Sequence, residues 1–133
     1  MVSILIGSTS DKPILEKSGL FDLLQKFDIE FEFLVISSDR NPEELRNYCK
    51  KREKQLQLVI AIAGGVPNLP ITVKSWLPNI PVISIPIDDN PAFALAALTT
   101  PTDRPVIILG YGVNGLQKAA YTARDILLKL PSS

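Results

Sequence analysis

The residues from Gly7 to Asp11 form the first group whose types and spacing could bind a ligand. They read Gly-Ser-Thr-Ser-Asp and follow a short apolar run, so a flexible glycine and three hydroxyls stand where a helix begins. The free N–H groups and the dipole of a helix N-terminus attract anions, which favours a phosphate site at Ser8 and Ser10. The alternative is that the serines are ordinary helix caps without a ligand. Asp11 would repel a phosphate in contact with it. We assign it to sugar hydroxyls or, alternatively, to the cap of the following helix.

A second polar segment, Ser37-Ser38-Asp39-Arg40, follows the next apolar run. A guanidinium binds phosphate through two parallel hydrogen bonds, so Arg40 is a candidate phosphate ligand. The alternative is an exposed Asp-Arg pair that contributes little energy. The adjoining Asn41-Pro42 pair and Glu44 match a helix cap, a first-turn proline and a capping box, and they need no further function.

Gly64 and Gly65 open a third segment, which continues as Val-Pro-Asn-Leu-Pro to Pro70. Paired glycines let backbone amides approach a planar ring or a carboxylate closely, although any tight turn between a strand and a helix can use them. A fourth segment ends in Asn90-Pro91, which is typical of a helix start and predicts no ligand.

The chain contains no histidine and one cysteine, Cys49. The commonest metal ligand is therefore missing, together with the side chain that titrates near neutral pH, which excludes zinc sites and histidine-dependent triads. No metal is expected. A single cysteine forms no internal disulfide, which fits a reducing compartment. Because no histidine can activate Cys49, we interpret it as an inert thiol.

Charge and length limit the classes of partner. Fourteen basic and fourteen acidic residues leave no net charge, so the chain lacks the positive field that nucleic-acid binding requires. No apolar run reaches the roughly 18 residues of a membrane helix, and Met1 leads into a strand pattern without a basic leader or cleavage site. The sequence has 133 residues, 46% of them hydrophobic. We expect one cytoplasmic domain over residues 1–133, with neither nucleic acid nor membrane as a partner.

Each polar segment follows an apolar run, and these runs alternate with helical patterns. Strands are predicted over Val2–Ile6, Phe31–Ile36, Leu58–Ala63, Val82–Ile87 and Val106–Gly110, and helices over Lys12–Phe27, Pro42 to about Lys54, Leu69–Leu77, Pro91–Leu98 and Asn114–Leu130. Continuous apolar strands are expected where helices cover both faces of a parallel sheet. We therefore predict an α/β fold, a three-layer α/β/α sandwich with a parallel, Rossmann- or flavodoxin-like sheet of about five strands. Ligands of such sheets bind beyond the carboxyl ends of the strands, where these segments lie.

Taken together, the segments Gly7–Asp11, Ser37–Pro42 and Ala63–Pro70 resemble the three signature loops of the N5-carboxyaminoimidazole ribonucleotide mutase family, the PurE-like proteins, in order, spacing and flanking strands. The resemblance runs from Val2 to about Leu130. In that family the first two loops hold the ribose phosphate of the substrate. The resemblance therefore implies a ribonucleotide phosphate as ligand and a site formed by Ser8, Ser10, Asp11, Ser37, Arg40, Gly64 and Gly65.

The family enzymes move a carboxyl group from the exocyclic nitrogen to a ring carbon of aminoimidazole ribonucleotide, a step of purine biosynthesis. A related class adds carbon dioxide directly. The resemblance implies that neither a metal nor a cofactor is used and that the chain forms a homo-oligomer, an octamer in the family. An apolar stripe on the last predicted helix, Leu116, Ala119, Ala120, Ala123 and Leu127, either joins subunits or packs on the chain's own sheet.

The main departures from the family pattern lie at positions that the family uses for catalysis. Asp39 and Asn68 occupy the positions of two family histidines, and these two residues are the candidates for any catalytic role. The segment Pro86–Pro101 is shorter than in the family, and Lys118 replaces an asparagine of the last helix. An ordinary aspartate has a pKa near 4, so about one molecule in a thousand would carry a proton for general-acid work at pH 7.

Two interpretations follow, and the sequence leaves open whether the chain is an enzyme. The first is a divergent mutase or carboxylase that retains the ribonucleotide site and either uses Asp39 differently or acts on a related aromatic ribonucleotide. The second is a paralogue without catalysis that binds a ribonucleotide or assembles with a partner. Asp39 is the residue that separates them.

Overall fold

The structure, a computed structural model, describes residues 1–128. Strands β1 to β5 span Val2–Ile6, Phe31–Val35, Leu58–Ala63, Val82–Pro86 and Ile107–Ile108. Helices α1 to α6 span Lys12–Lys17, Leu20–Lys26, Pro42–Arg52, Asn68–Trp76, Pro91–Ala97 and Gly112–Leu127, and a short 3-10 turn, Thr9–Asp11, precedes α1. None of the helices in this part of the chain has the length and hydropathy needed to cross a membrane.

The five strands form one parallel sheet in the order β2-β1-β3-β4-β5. This order is that of flavodoxin-like folds and confirms the predicted fold class. Ile6, the last residue of β1, pairs with Val35 of β2 and with Ile62 of β3. The three strands therefore end at the same level, and the loops that follow them start at one edge of the sheet.

Helices cover both faces of the sheet, as the apolar strands predict. The first core joins alternate strand residues, such as Ile4 and Ile60, to α1, α2 and α6. The second core joins the intervening residues, such as Leu5 and Ala61, to α3 and α4. Because both faces of β1 and β3 are buried, these central strands hold the loops at their carboxyl ends in fixed positions.

The single helix predicted over Lys12–Phe27 is wrong, because the structure contains two helices there. Gly19 adopts a left-handed conformation, with φ of 77°, which ends α1. The hydroxyl of Ser18 donates to the Leu15 carbonyl at 2.6 Å and accepts from the Leu20 N–H at 3.1 Å, which satisfies backbone groups at the break. The Ser-Gly pair was a signal for this break that the apolar periodicity concealed.

The last β-α unit also differs in its limits. Only Ile107–Ile108 of the predicted strand pairs with β4, and α6 begins at Gly112 rather than at Asn114. The predicted helix residues 129 and 130 lie outside the described part of the chain.

The apolar stripe of α6 packs on the chain's own sheet. Leu116, Ala119, Ala120 and Ala123 are fully buried in the first core, and Leu127 packs against it. The interpretation of the stripe as a subunit contact is therefore wrong, because a surface already used for the core is not available to a second copy.

Candidate functional site

A cavity of about 550 Å³ lies at the carboxyl edge of the sheet, enclosed by the loops after β1, β2 and β3. Its wall contains Gly7, Ser8, Ser10, Asp11, Ser37, Ser38, Asp39, Arg40, Ile62, Ala63, Gly64, Val66, Asn68 and Leu69. In the sheet, β2 lies on one side of β1 and β3 lies on the other. The cavity thus occupies the point where the strand order reverses, which is where such sheets bind ligands.

Hydrogen bonds within the first loop occupy two of its backbone amides. Ser8 caps the 3-10 turn, because its Oγ accepts from the Ser10 N–H at 3.2 Å, and the two serine Oγ atoms are 2.9 Å apart. The Asp11 N–H donates to the Ser8 carbonyl at 3.1 Å. These two amides are therefore occupied within the loop, so an anion would depend on hydroxyl donors here more than the sequence predicts.

Asp11 occupies the N-cap position of α1, but its side chain makes no capping hydrogen bond. The capping alternative is therefore confirmed for the position of Asp11 but not for its side chain. Its carboxylate is part of the cavity wall. Partial burial, and then the negative charge of Asp88, raise the pKa of the Asp11 carboxyl.

Asp88 belongs to the loop after β4, for which the sequence predicted no function. Its Oδ2 accepts a long hydrogen bond of 3.4 Å from the Gly65 N–H. Asp88 thus connects the third loop with the fourth and places a second carboxylate near Asp11. The signal for this contact was the Asp-Asp pair after β4, which acquires meaning only once the sheet order is known.

Ser37 organises the second loop from its centre. Its buried hydroxyl accepts from the Asp39 N–H at 3.2 Å and from the Arg40 N–H at 3.1 Å. A serine hydroxyl that accepts twice still has one hydrogen to donate, so Ser37 keeps one donor. Asn41 occupies the N-cap position of α3, but its side chain makes no hydrogen bond to the helix. Its Oδ1 instead accepts from the Ser37 N–H at 3.2 Å. The predicted capping role of the Asn41 side chain is therefore wrong, because the side chain closes the loop.

Arg40 links the second loop to the first. Its side chain is exposed, and its Nη2 donates to the Gly7 carbonyl. No ion pair joins Asp39 to Arg40 in the described residues, where the ion pairs involve other side chains. The alternative of a surface Asp-Arg pair is therefore wrong. The remaining N–H groups of the guanidinium are available to a ligand, since an arginine has five donors.

The two glycines of the third loop have different environments. Gly64 lines the cavity, and a Cβ built on it would meet no atom within 4 Å. Gly65 is not part of the wall and has a φ of 70°, a left-handed conformation that favours glycine. Gly64 therefore leaves space in the cavity, whereas Gly65 serves the turn itself.

An apolar part of the wall was missed by sequence reasoning. Ile62, Ala63, Val66 and Leu69 all contribute to the cavity, and Val66 is 56% exposed. Ile62 and Ala63 end a buried strand and Leu69 is a core residue, so their types alone predicted packing only. Their position beside the polar loops adds a surface that suits the face of a planar ring.

Asp39 and Asn68, the two candidates for a catalytic role, both line the cavity and are both exposed. Asp39 belongs to the second loop, and Asn68 is the first residue of α4. The charged groups of the wall are Asp11, Asp39 and Arg40, two carboxylates and one guanidinium.

Cys49 lies outside this cavity, in the second core, and is fully buried. Burial, and then the charge of Glu53, raise the pKa of its thiol to about 11. A thiolate is therefore rare at neutral pH, in agreement with the predicted inert role. Within residues 1–128, no group of three or more Cys, Asp or Glu side chains is placed to hold a metal ion.

The AIR carboxylase family model matches residues 1–130. Among curated relatives, the N5-carboxyaminoimidazole ribonucleotide mutase of Pyrococcus abyssi is 34% identical over 98% of this chain and 75% of its own length. The mutase of Thermotoga maritima is 31% identical over 98% of this chain and 77% of its own length. The phosphoribosylaminoimidazole carboxylase of Ogataea methanolica is 28% identical over 96% of this chain, which corresponds to 23% of that longer protein.

Solved structures lead to the same family. The crystal structure of Treponema denticola PurE superposes with a TM-score of 0.76 at 26% identity, covering 92% of this chain and 78% of that one. Fold and sequence similarity over nearly the whole length agree. The chain therefore belongs to the AIR carboxylase family, the PurE-like mutases and carboxylases of purine biosynthesis.

Proposed function

We propose that the chain binds a 5′-phosphorylated ribonucleotide of the aminoimidazole type in the cavity at the carboxyl edge of the sheet. The observation that carries the proposal is the convergence of three loops, with the Arg40 guanidinium beside the hydroxyl-bearing loop of Ser8 and Ser10. A small nucleotide needs hydrogen-bond donors for its phosphate, acceptors for its sugar hydroxyls and a flat apolar surface for its base. The first two loops provide the donors and the acceptor, and the third provides the apolar surface.

Each part of the wall has a role in this proposal. Arg40, the Ser37 hydroxyl and one hydroxyl of the hydrogen-bonded Ser8–Ser10 pair donate to the phosphate, and Asp11 accepts from ribose hydroxyls. Gly64 leaves room for the base. Gly65 acts indirectly, because it shapes the turn that carries Gly64.

We further propose that this chain has little or no activity on N5-carboxyaminoimidazole ribonucleotide. Asp39 and Asn68 line the cavity, the resemblance assigns them to the positions of the family histidines, and the whole chain contains no histidine. Neither an ordinary aspartate nor an amide exchanges protons efficiently near pH 7, and loss of a well-placed acid or base lowers a rate by roughly 10² to 10⁴.

One observation favours the alternative, a divergent enzyme. The Asp11 carboxyl lies in the cavity, and its pKa is raised by burial and by Asp88, so it retains a proton to higher pH than an ordinary aspartate. A protonated carboxyl in contact with the substrate can act as a general acid. In this alternative Asp11, rather than Asp39, supplies the proton.

Calorimetric titration tests the binding proposal. Aminoimidazole ribonucleotide is compared with its unphosphorylated riboside, and the phosphorylated ligand should bind at least about tenfold more tightly because only it uses the charged hydrogen bonds of Arg40. Equal affinity for the two ligands, or no binding of either, would contradict the proposed site.

The catalytic proposal is tested by following formation of the ring-carboxylated product. The wild type is compared with Asp39→His and with the double variant Asp39→His/Asn68→His, in which both family histidines are restored. We expect almost no turnover in the wild type and a gain of at least about tenfold in the double variant. Wild-type turnover that is abolished by Asp11→Asn would instead establish the divergent enzyme.

We also propose a homo-oligomer, an octamer by analogy with the family. Support comes from two exposed leucines one helical turn apart, Leu95 of α5 and Leu98 directly after it, which are 59% and 65% exposed. Light scattering at micromolar concentration should give a mass several times the 14.6 kDa of one chain. A monomer mass would contradict this proposal, and the cavity, built from one chain, would remain.

A further inference from the structure

The charges of the cavity wall do not balance. Asp11 and Asp39 are its carboxylates and Arg40 is its single guanidinium, and the remaining wall residues are uncharged. A ribonucleotide phosphate, itself an anion, requires this one cation. A second anionic group on the ligand would therefore find two carboxylates and no positive side chain in the wall.

The cavity is small enough for both carboxylates to act on every part of a bound ligand. A sphere of 550 Å³ is about 10 Å across, so every group of a bound ligand lies within about one Debye length of both carboxylates at ordinary ionic strength. Salt at ordinary ionic strength screens charges only in part over such distances. Repulsion therefore acts on the whole ligand, wherever its base lies.

The polar groups that remain are suited to hydrogen-bond donors on the base. Asp39 offers carboxylate oxygens, and Asn68 offers an amide oxygen and an amide N–H₂ group. A base with an exocyclic amino group can donate to these oxygens. A base with a carboxylate can accept from the Asn68 amide, the Ser38 hydroxyl or a backbone N–H of the third loop, but none of these groups carries a charge that offsets its repulsion by Asp39.

We propose that the cavity selects ribonucleotides by charge, accepting a 5′-phosphate together with an uncharged, amino-bearing base and rejecting a base that carries a carboxylate. This inference rests on the proposed ribonucleotide site and adds the charge of the base to it. It means that the carboxylated ribonucleotides on which the named mutases act are poor ligands of this chain, and that Asp39 determines this preference.

The test compares two ligands of nearly equal size, carboxyaminoimidazole ribonucleotide and its neutral carboxamide analogue, by calorimetric titration at low salt. Shape, phosphate and ribose are the same, so a difference in affinity reports the charge of the base. The carboxamide should bind at least about tenfold more tightly to the wild type. In Asp39→Asn, which keeps the shape of the side chain, this ratio should fall severalfold through tighter binding of the carboxylated ligand.

Asp22→Asn is the matched control, because Asp22 is an exposed carboxylate of α2 outside the cavity. It should leave the ratio unchanged. Equal affinity of the two ligands for the wild type, or a ratio that Asp39→Asn does not alter, would overturn the charge selection and leave the phosphate site intact. If neither ligand binds, or if the ribosides bind as well as the ribonucleotides, the proposed function fails together with this inference.

Discussion

Replacement of Arg40 by alanine should weaken ribonucleotide binding strongly and the fold only slightly. The guanidinium is exposed and gives one N–H to the Gly7 carbonyl, which leaves up to four donors for a phosphate. Loss of a hydrogen bond to a charged group costs about 1.5 to 3 kcal/mol. At 1.4 kcal/mol per factor of ten, Arg40→Ala should raise the dissociation constant about 12- to 150-fold.

The cost to the fold should stay below about 1 kcal/mol. In the described residues the side chain of Arg40 makes one hydrogen bond, to the Gly7 carbonyl, and this bond is open to water, so much of its energy is recovered by hydration. Chemical denaturation measures this term separately from binding. Arg40→Lys retains the charge but loses the paired geometry, so it should have an intermediate affinity.

Arg124→Ala provides the matched control. Arg124 lies on α6, interacts with Phe27, Tyr121 and Asp125, and does not line the cavity. The Arg124→Ala variant removes the same charge from the molecule and should leave the affinity for the ribonucleotide unchanged. If Arg40→Ala and Arg124→Ala weakened binding equally, or if Arg40→Ala weakened the riboside as much as the ribonucleotide, a direct contact between Arg40 and the phosphate would be refuted.

Three further predictions concern single residues of the site and the core. Gly64→Ala should preserve the free energy of unfolding and weaken ligand binding, whereas Gly65→Ala should destabilise the chain by about 1 to 2 kcal/mol because of its positive φ; denaturation and titration of both variants separate the two effects. Asp88→Asn should lower the pKa of the Asp11 carboxyl in a carbon-13 NMR titration, since the Asp88 charge is one of the two causes that raise it. That raised pKa means that the folded state holds the Asp11 proton more tightly than the unfolded state does. The contribution of Asp11 to stability is therefore present at low pH and is lost as the pH rises from 3.8 through the folded pKa, and a contribution that grew with pH over this window would contradict the assignment. Gly115→Ala should destabilise strongly in thermal denaturation, because its Cβ would lie 2.5 Å from a backbone oxygen, and an unchanged melting temperature would show that the loop before α6 can move.

The sequence predicted the parallel sheet and the three loops because both signals are local. Continuous apolar runs such as Leu58–Ala63 reveal strands covered on both faces, and the predicted limits of this strand agree with the structure. Two local predictions were wrong. The apolar periodicity of Lys12–Phe27 concealed the helix break at Gly19. The helix-start residues at Asn41 suggested a capping side chain, but this side chain closes its own loop.

The roles of individual loop residues depended on distant partners. The first loop by itself does not distinguish a capping Asp11 from a free one, because the difference arises from the backbone geometry of the turn. Asp88 acquires its role only because β4 lies next to β3, which brings its carboxylate to the Gly65 N–H. The apolar stripe of α6 also depended on distant partners. A helix that packs on its own sheet and a helix that contacts another subunit show the same apolar spacing, and only the burial of the stripe shows that it packs on the sheet.

By itself the sequence determined the fold class, the family resemblance, the residues of the three loops and the absence of histidine, since each of these is a property of residue type and order along the chain. Only the tertiary structure decided that the three loops enclose one cavity, that Arg40 links two of them, and that one guanidinium there faces two carboxylates. The physical reason is that charge balance in a cavity depends on distances between residues far apart in sequence. Those distances are set by the strand order and the register of the sheet.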